Sequence, residues 1–431
     1  MLKEKLLYAG LNNKLKKIYG ENKVERECKR YLDALENFMS LYGNRDVEII
    51  SVPGRSEIIG NHTDHNHGCV LAAAINLDII AVVSKSLDPG GRKSNIRIKS
   101  EGFEPDDIVI DGEKNENLSP VEAEKFSSAA IIRGICNKFV DSGYEIGGFD
   151  AYTTSDILKG SGLSSSAAFE ITVGYILNHL YNDDKISPVE IAKIGQYAEN
   201  NYFGKPCGLM DQTACSVGGF VAIDFQDPKE PIVEKLDYDL TKAGYSLCIL
   251  STGGSHADLN EEYAAITTEM KQVAKYFGKD TLREVTKKDF YANIAEIRKI
   301  CGDRAVLRAM HYFAENNRVK VGTEALKEGH LDIFLNAVTS SGNSSFKYLQ
   351  NIYAAQLPSE QSISLALAVC EEYLSNKNAA YRVHGGGFAG TVQIFVPKKI
   401  VADFISYIEV IFGVGSCLEL SVREDGATVI V

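Results

Sequence analysis

Two glycine-rich segments contain residue types that could bind a phosphate group. The first, GSGLSSSAA at residues 160–168, leads into a predicted helix, where free backbone N–H groups and the helix dipole favour an anion. It is not a Walker A loop, because no Gly-Lys-Ser/Thr follows, and it lacks the closing glycine of a nucleophile elbow. An ordinary capped helix start is the alternative interpretation.

The second glycine-rich segment is HGGGFAGT, at residues 384–391. Glycine allows positive φ angles and a close approach of the backbone to a ligand. A hairpin turn or a β-bulge explains a triple glycine equally well. This segment alone therefore establishes no function.

Two carboxylates could approach one cavity. Asp211 lies among small and apolar residues in GLMDQ, where an aspartate acts either as a helix cap or as an acid–base group. Glu199, twelve residues earlier on the preceding predicted helix, could help to hold Mg²⁺. With serine hydroxyls and a glycine loop, these carboxylates complete the components of a phosphoryl-transfer site.

The segment NHTDHNHG, residues 61–68, contains three of the eight histidines of the chain. It could form a metal site, a sugar-binding pocket or an ordinary polar turn. A metal site would need three or four side chains, from His62, Asp64, His65 and His67, to converge from one short turn.

The elements around these segments alternate between strands and helices. The stretch DVEIISVP predicts a strand that ends in a turn at Pro53-Gly54, and residues 69–86 predict one or two buried strands. Residues 187–204 predict a helix with Ser187 as its N-cap. Helical periodicity dominates residues 256–376 before strand character returns, so we predict a mixed α/β (α+β) fold.

The length and composition favour a two-domain globular enzyme. At 431 residues the chain exceeds one ordinary core, and the Pro- and charge-rich connection at 226–235 predicts domains at residues 1–230 and 231–431. The formal net charge of −12 disfavours nucleic acid or an anionic membrane as the main partner. The longest apolar stretch, residues 69–83, is shorter than the roughly 20 residues of a membrane span.

The cysteines and the N-terminus indicate a reducing compartment. Nine cysteines without C-x-x-C pairs suggest neither a disulfide framework nor a zinc ribbon. The charged N-terminus lacks the apolar core of a signal peptide, so we expect a cytoplasmic protein. We also expect a monomer, although no sequence pattern bears directly on the oligomeric state.

Four segments together resemble those of the GHMP small-molecule kinases, and of galactokinases most closely: PGRSEIIGNHTDHNHG, GSGLSSSAA, CGLMDQ and HGGGFAGT. The resemblance covers most of the chain. It implies an N-terminal domain like ribosomal protein S5, a ferredoxin-like C-terminal domain and an active site in the cleft between them. It also implies ATP and Mg²⁺, with transfer of the γ-phosphoryl group to the anomeric hydroxyl of galactose or a closely related sugar.

The resemblance assigns roles to individual residues. Asp211 and Arg55 match the catalytic positions, and Ser166 and Glu199 match the serine and glutamate that hold Mg²⁺. The sugar-binding positions are matched by Asn61, His62, Asp64, Gly208 and Tyr263. The ATP-binding positions are matched by Gly160, Ser161, Gly162, Leu163, Ser164, Ser165, Ser166 and Gly386.

Two departures from galactokinases concern the sugar. Asn61 stands where they carry a glutamate directed at the C6 end of the sugar, and His65 stands where they usually carry tyrosine. Galacturonokinases, in the same family, also lack that glutamate and carry histidine after the aspartate, so a galacturonokinase is an alternative. A non-catalytic sugar sensor is a second alternative, although the intact serine-rich loop, Asp211, Glu199 and Arg55 favour an enzyme.

Overall fold

Two β-sheets with helices packed against them organise the chain. The computed structural model describes residues 9–86, 93–111, 118–158, 162–254 and 259–431. The larger sheet has eight strands in the order β12-β1-β2-β5-β3-β4, with β6 paired to β2 and β7 paired to β6. The smaller sheet has the order β11-β8-β10-β9. The mixed α/β class predicted from the sequence is confirmed.

The strands are β1 (Glu48–Ile59), β2 (Cys69–Lys85), β3 (Lys93–Ser100), β4 (Asp106–Asp111), β5 (Phe149–Ser155), β6 (Phe220–Asp224), β7 (Ile232–Leu236), β8 (Tyr245–Ser251), β9 (Ala380–His384), β10 (Thr391–Pro397), β11 (Cys417–Leu420) and β12 (Thr428–Val429). The helices are α1 (Ala9–Tyr19), α2 (Val24–Tyr42), α3 (Ser128–Asp141), α4 (Ser165–Tyr181), α5 (Pro188–Ala198), α6 (Met210–Val217), α7 (Asn260–Tyr276), α8 (Lys287–Ala292), α9 (Ile294–Cys301), α10 (Asp303–Glu328), α11 (Leu331–Ser344), α12 (Ser362–Leu374) and α13 (Val401–Phe412). Ser187 accepts a hydrogen bond from the Glu190 backbone N at 3.2 Å, which confirms it as the N-cap of α5.

The turn predicted at Pro53-Gly54 is wrong. Strand β1 continues through both residues, and its pairing with β2 shifts register between Pro53 and Arg55. A Cβ on Gly54 would lie 2.7 Å from the backbone oxygen of Leu163, so the strand passes directly against the glycine–serine loop. A β-bulge at a small residue therefore replaces the expected turn.

The predicted domain division at residue 230 stays a prediction. Strands β6 and β7, on either side of that position, pair with each other in the larger sheet. Strand β12, near the C-terminus, pairs with β1 in the same sheet. All four strands of the smaller sheet come after residue 230. Within the described ranges, no helix is long and apolar enough to cross a membrane.

A buried carboxylate joins the N-terminal helices, the larger sheet and the C-terminal segment. Asp78 on β2 accepts hydrogen bonds from Arg30 Nη1 at 2.8 Å and Arg423 Nη1 at 3.2 Å. The hydroxyls of Tyr19 and Ser51 also donate to it. Burial raises the pKa of Asp78, but the two guanidinium groups outweigh that effect and hold the pKa below its ordinary value. Asp78 is therefore ionised in the folded protein.

Replacing Asp78 by asparagine is expected to lower the free energy of unfolding by about 3–5 kcal/mol, because it removes the counter-charge of the buried Arg423 guanidinium and one of the carboxylate partners of Arg30. Scanning calorimetry measures the change as a lower unfolding temperature. The control Asp183→Asn removes only an exposed ion pair with Lys185 and should leave that temperature nearly unchanged. Equal unfolding temperatures for the two variants would contradict the prediction.

Candidate active site

A bidentate ion pair between Arg55 and Asp211 forms the centre of the candidate site. Arg55 Nε donates to Asp211 Oδ1 at 2.8 Å, and Arg55 Nη2 donates to Oδ2 at 2.7 Å. Burial raises the pKa of Asp211, but the charge and hydrogen bonds of Arg55 outweigh burial and hold the pKa below its ordinary value. The Asp211 side chain is 32% exposed, so an ionised carboxylate is open to a ligand.

The secondary structure excludes the simplest alternative role for Asp211. The N-cap of α6 is Leu209, and Asp211 lies inside the first turn of that helix. Arg55 comes from the buried strand β1, directly after the bulge. Asp211 therefore serves as the partner of Arg55 rather than as a helix cap.

The glycine–serine loop is fastened to this ion pair. The backbone oxygen of Gly162 accepts a hydrogen bond from Arg55 Nη1, and that of Leu163 accepts one from the Arg55 backbone N at 3.1 Å. Ser164 donates its hydroxyl to Asp211 Oδ2. The predicted phosphate-binding loop and the predicted catalytic pair therefore form one network.

The N-terminus of α4 follows directly from this loop. Its N-cap residue, Ser164, directs its hydroxyl to Asp211 instead of capping the helix. Ser165 is half-buried and Ser166 is exposed in the first turn. Helix N-termini whose N–H groups are not capped by a side chain suit a phosphate. The first two residues of the predicted ATP loop, 160–161, lie outside the described residues, and their role stays a prediction.

Two buried carboxylates converge behind the ion pair. Glu199 begins the π-helical turn that follows α5, and Glu170 lies on α4. The side-chain nitrogen of Gln212 lies 2.8 Å from Glu170 Oε2 and 3.0 Å from Glu199 Oε2. Lys205 Nζ lies 3.5 Å from Glu199 Oε1. Burial, and then the neighbouring Glu199, hold the pKa of Glu170 well above its ordinary value.

The residues predicted to hold Mg²⁺ supply the oxygen donors that this ion prefers. Ser166 offers an exposed hydroxyl, and Glu199 offers a buried carboxylate. Glu170 Oε1 is buried and, among the described residues, has no hydrogen-bond partner. Because Mg²⁺ in kinases takes most of its ligands from water and phosphate, one or two protein donors are sufficient. The donor set therefore fits the ion.

The histidine segment meets the second glycine loop. His62 Nε2 lies 3.0 Å from the backbone oxygen of Gly386, and the Tyr263 hydroxyl donates to the backbone oxygen of Gly387 at 2.8 Å. A Cβ on Gly386 would lie 2.6 Å from Tyr263 Cε1, so the aromatic ring packs directly on that glycine. Two predicted sugar-binding residues thus contact the loop. The assignment of Gly386 to ATP stays a prediction.

Asp64 lies beside Gly208, and both are predicted sugar-binding residues. Any Cβ on Gly208 would collide with Asp64 Oδ2, so only glycine leaves room for the carboxylate. Burial raises the pKa of Asp64, the His62 ring opposes this, and the negative charge of Asp211 adds to the rise.

Asn61 is surrounded by protein rather than by open space. It is 1% exposed, and its Nδ2 donates to Glu57 Oε1 at 3.0 Å and to the backbone oxygen of Gly385 at 2.8 Å. Its Oδ1 accepts from Asn351 Nδ2 at 2.8 Å, and Arg382 Nη2 lies 3.1 Å from Glu57 Oε1. Both amide N–H groups are engaged, so a sugar contact would have to replace one of these bonds. The sugar-binding role of Asn61 stays a prediction.

His65 presents a neutral ring with a fixed proton. Asn66 Nδ2 donates to His65 Nδ1 at 3.1 Å, which places the ring proton on Nε2. Burial, with His62 and Lys271 nearby, lowers the pKa of His65 to about 3. Within the described part of the chain, no group of three or more His, Cys, Asp or Glu residues could hold a metal ion. The geometry therefore gives no support to a metal centre in the histidine segment.

Several buried residues near the site were not identified from the sequence. His384 Nε2 lies 3.1 Å from Ser56 Oγ, and Gln393 Nε2 donates to the same hydroxyl at 2.6 Å. Glu170 follows the predicted metal ligand Ser166 by four positions, and Gln212 directly follows Asp211. The four-residue spacing is the signal that could have identified Glu170, because residues at i and i+4 share a helix face, whereas a residue next to Asp211 does not share its face.

Two parts of the chain match known protein families. Residues 130–219 match the GHMP kinases N-terminal domain, and residues 36–85 match the galactokinase galactose-binding signature. A galactokinase of Actinobacillus pleuropneumoniae serotype 5b (strain L20) is 31% identical over 383 residues, covering 86% of this chain and 92% of the relative. A galactokinase of Streptomyces coelicolor is 28% identical over 366 residues, covering 84% and 87% respectively.

Solved structures share the fold. Lactococcus lactis galactokinase complexed with galactose aligns with a TM-score of 0.74 and 24% identity, covering 92% of this chain and 99% of that one. Methanococcus jannaschii mevalonate kinase aligns with a TM-score of 0.59 and 14% identity, covering 88% and 98%. The predicted GHMP kinase fold is thereby confirmed, and the 31% identity along most of the sequence shows the family. The chain belongs to the galactokinase family of the GHMP kinases.

Proposed function

We propose that this protein is an ATP-dependent sugar 1-kinase that transfers the γ-phosphoryl group of ATP to the anomeric hydroxyl of galactose. The observation that carries the proposal is the ionised, partly open carboxylate of Asp211, which shares Arg55 with the glycine–serine loop. The galactokinase relatives and the galactose-binding signature over residues 36–85 support galactose as the sugar.

Asp211 would act on the hydroxyl that attacks. The anomeric oxygen bonds to the γ-phosphorus as the bond from that phosphorus to the bridging oxygen of ADP breaks, and the hydroxyl proton passes to Asp211. Because Arg55 holds the pKa of Asp211 below its ordinary value, the carboxylate is a weak base. We therefore assign Asp211 first to orienting the hydroxyl, with proton uptake as the new bond forms.

The remaining residues would bind the two substrates. The uncapped N-terminus of α4 and the loop at residues 162–166 would hold the ATP phosphates. Ser166 and Glu199 would hold Mg²⁺, which when bound offsets charge on the phosphate oxygens. On the other side of Asp211, the sugar hydroxyls would meet His62, Asp64 and Tyr263.

Galacturonate kinase is the second candidate, and His65 is the observation that favours it. The Nε2–H of the neutral His65 ring is buried and has no hydrogen-bond partner among the described residues; this group and the nearby charge of Lys271 would both suit an anionic substituent on the sugar. A carboxylate at position 61 would oppose such a substrate, and this chain carries Asn61 there. The family matches named above favour galactose over this candidate.

An ATP-consumption assay with a panel of sugars separates the candidates. With Mg²⁺ present, we expect galactose to give the highest kcat/KM among galactose, galacturonate, N-acetylgalactosamine, arabinose and glucose. A clear preference for galacturonate would replace the primary proposal with the second candidate. Absence of turnover with every sugar would contradict both kinase proposals and favour the sensor.

Replacing Asp211 by asparagine is expected to lower kcat by about 10²–10⁴-fold, because the amide cannot accept the hydroxyl proton. Isothermal titration calorimetry should still detect galactose and ATP, since the binding residues remain. The exposed Asp183→Asn change is the matched control and should leave kcat unchanged. Retained turnover in Asp211→Asn would contradict the assigned role of the carboxylate.

The Arg55–Asp211 pair also sets the acid limit of activity. A depressed folded-state pKa keeps Asp211 ionised until the pH falls through that value, so loss of the charge partner should move the acid limb of kcat/KM upward. Replacing Arg55 by methionine should raise that limb by roughly 1–3 pH units. A pH profile of kcat/KM measures this shift of the acid limb. The control Ser164→Ala removes only the hydrogen bond from the Ser164 hydroxyl to Asp211 and should give a smaller rise. An unmoved limb in Arg55→Met would contradict the assignment.

A further inference from the structure

The amide of Gln212 lies between two buried carboxylates. Gln212 is fully buried, and its two N–H groups face Glu170 Oε2 at 2.8 Å and Glu199 Oε2 at 3.0 Å. The opposite amide orientation would turn the oxygen of Gln212 toward both carboxylates, so the surroundings determine which atom faces them. A single neutral side chain thus donates to both acids.

This contact joins three helices at the candidate site. Glu170 lies on α4, four residues after Ser166 and therefore on the same helix face. Glu199 begins the π-helical turn directly after α5, and Gln212 lies in the first turn of α6. Gln212 directly follows Asp211. Helix α6 therefore carries the proposed catalytic carboxylate, Asp211, and next to it the amide that bonds to the proposed metal ligand, Glu199.

The packing around the amide leaves little freedom for another arrangement. A Cβ on Gly195 would lie 3.2 Å from Glu170 Oε2 and 3.4 Å from Gln212 Cγ, so α5 presses against both side chains. Glu199 Oε2 is occupied by the amide, whereas Glu199 Oε1 is the oxygen on the side of Lys205. Lys205 is largely exposed and gives weak compensation for two acids.

We propose that Gln212 is a positioning residue for the Mg²⁺ site: its amide fixes Glu199 Oε2 and thereby presents Glu199 Oε1 to the metal. The inference rests on the proposed function, in which Glu199 is a metal ligand. Partners that orient a metal ligand typically change metal affinity about 10- to 100-fold when they are removed. Gln212 would act through Glu199 and would not touch the substrates.

The test compares Gln212→Leu with the wild-type chain. The leucine side chain fills similar space without N–H donors, so we expect the apparent Mg²⁺ affinity in galactose phosphorylation to weaken about 10- to 100-fold. At saturating Mg²⁺, kcat and the KM for galactose should change by less than about threefold. Electron paramagnetic resonance of Mn²⁺ bound with a non-hydrolysable ATP analogue should show the same loss without any turnover.

Asp78→Asn is the matched control, because it destabilises the fold through Arg30 and Arg423, which bond to none of Glu170, Gln212 and Glu199, and should leave Mn²⁺ affinity unchanged. An equal loss in both variants, or unchanged metal affinity in Gln212→Leu, would overturn the proposal. If Gln212→Leu does not fold, Gln212→Met replaces it, since methionine has a similar length and no N–H donor; unchanged Mn²⁺ affinity there would also overturn the proposal.

The two readouts separate this inference from the proposed function. Suppose that Gln212→Leu loses Mn²⁺ binding and that the wild-type chain phosphorylates no sugar. This result would uphold the positioning role and contradict the kinase function. Galactose phosphorylation with identical metal affinity in both chains would uphold the kinase function and contradict the positioning role.

Discussion

The guanidinium group of Arg55 connects the parts of the site that must keep a fixed geometry. Two of its nitrogens hold Asp211, and the third holds the backbone of Gly162. Removing such a buried charge from water is costly unless hydrogen bonds compensate it, and here all compensation comes from elements of the site. The carboxylate proposed to accept the sugar proton and the loop proposed to hold the phosphates are therefore fixed relative to each other, which suits a reaction that depends on positioning.

Strand β1, which carries Arg55, also joins the two sheets next to the site. His384 and Gln393, from the smaller sheet, bond to Ser56 on β1, and Arg382 Nη1 donates to the backbone oxygen of Ile58 at 2.8 Å. Strand β1 carries Arg55 and leads into the histidine segment. The contacts between β1 and the smaller sheet therefore fix the second glycine loop relative to Arg55 and to the histidine segment. The position of the second glycine loop relative to the histidine segment is thus a consequence of how the two sheets meet.

Much of the site was predictable because its chemistry depends on short contiguous segments. Short sequence motifs are sufficient to find the glycine–serine loop, Asp211 and the histidine segment. The fold class follows from the periodicity of the hydrophobic residues. The bulge at Pro53-Gly54 was not predictable, since it depends on Leu163 lying against Gly54. Glu170 and Gln212 were missed for the same reason, because their contact with each other and with Glu199 forms only when α4, α5 and α6 pack together.

Asn61 shows how a substitution in a motif changes its meaning once neighbours are known. From the sequence alone, Asn61 in place of the glutamate of galactokinases suggests a sugar other than galactose. In the structure, the amide of Asn61 donates to Glu57 and the second glycine loop, and Glu57 pairs with the fully buried Arg382. A carboxylate at position 61 would lie about 3–4 Å from Glu57, where two like charges repel by roughly 4 kcal/mol at an effective dielectric of 20. Asparagine at this position is therefore explained by Glu57 without reference to the substrate.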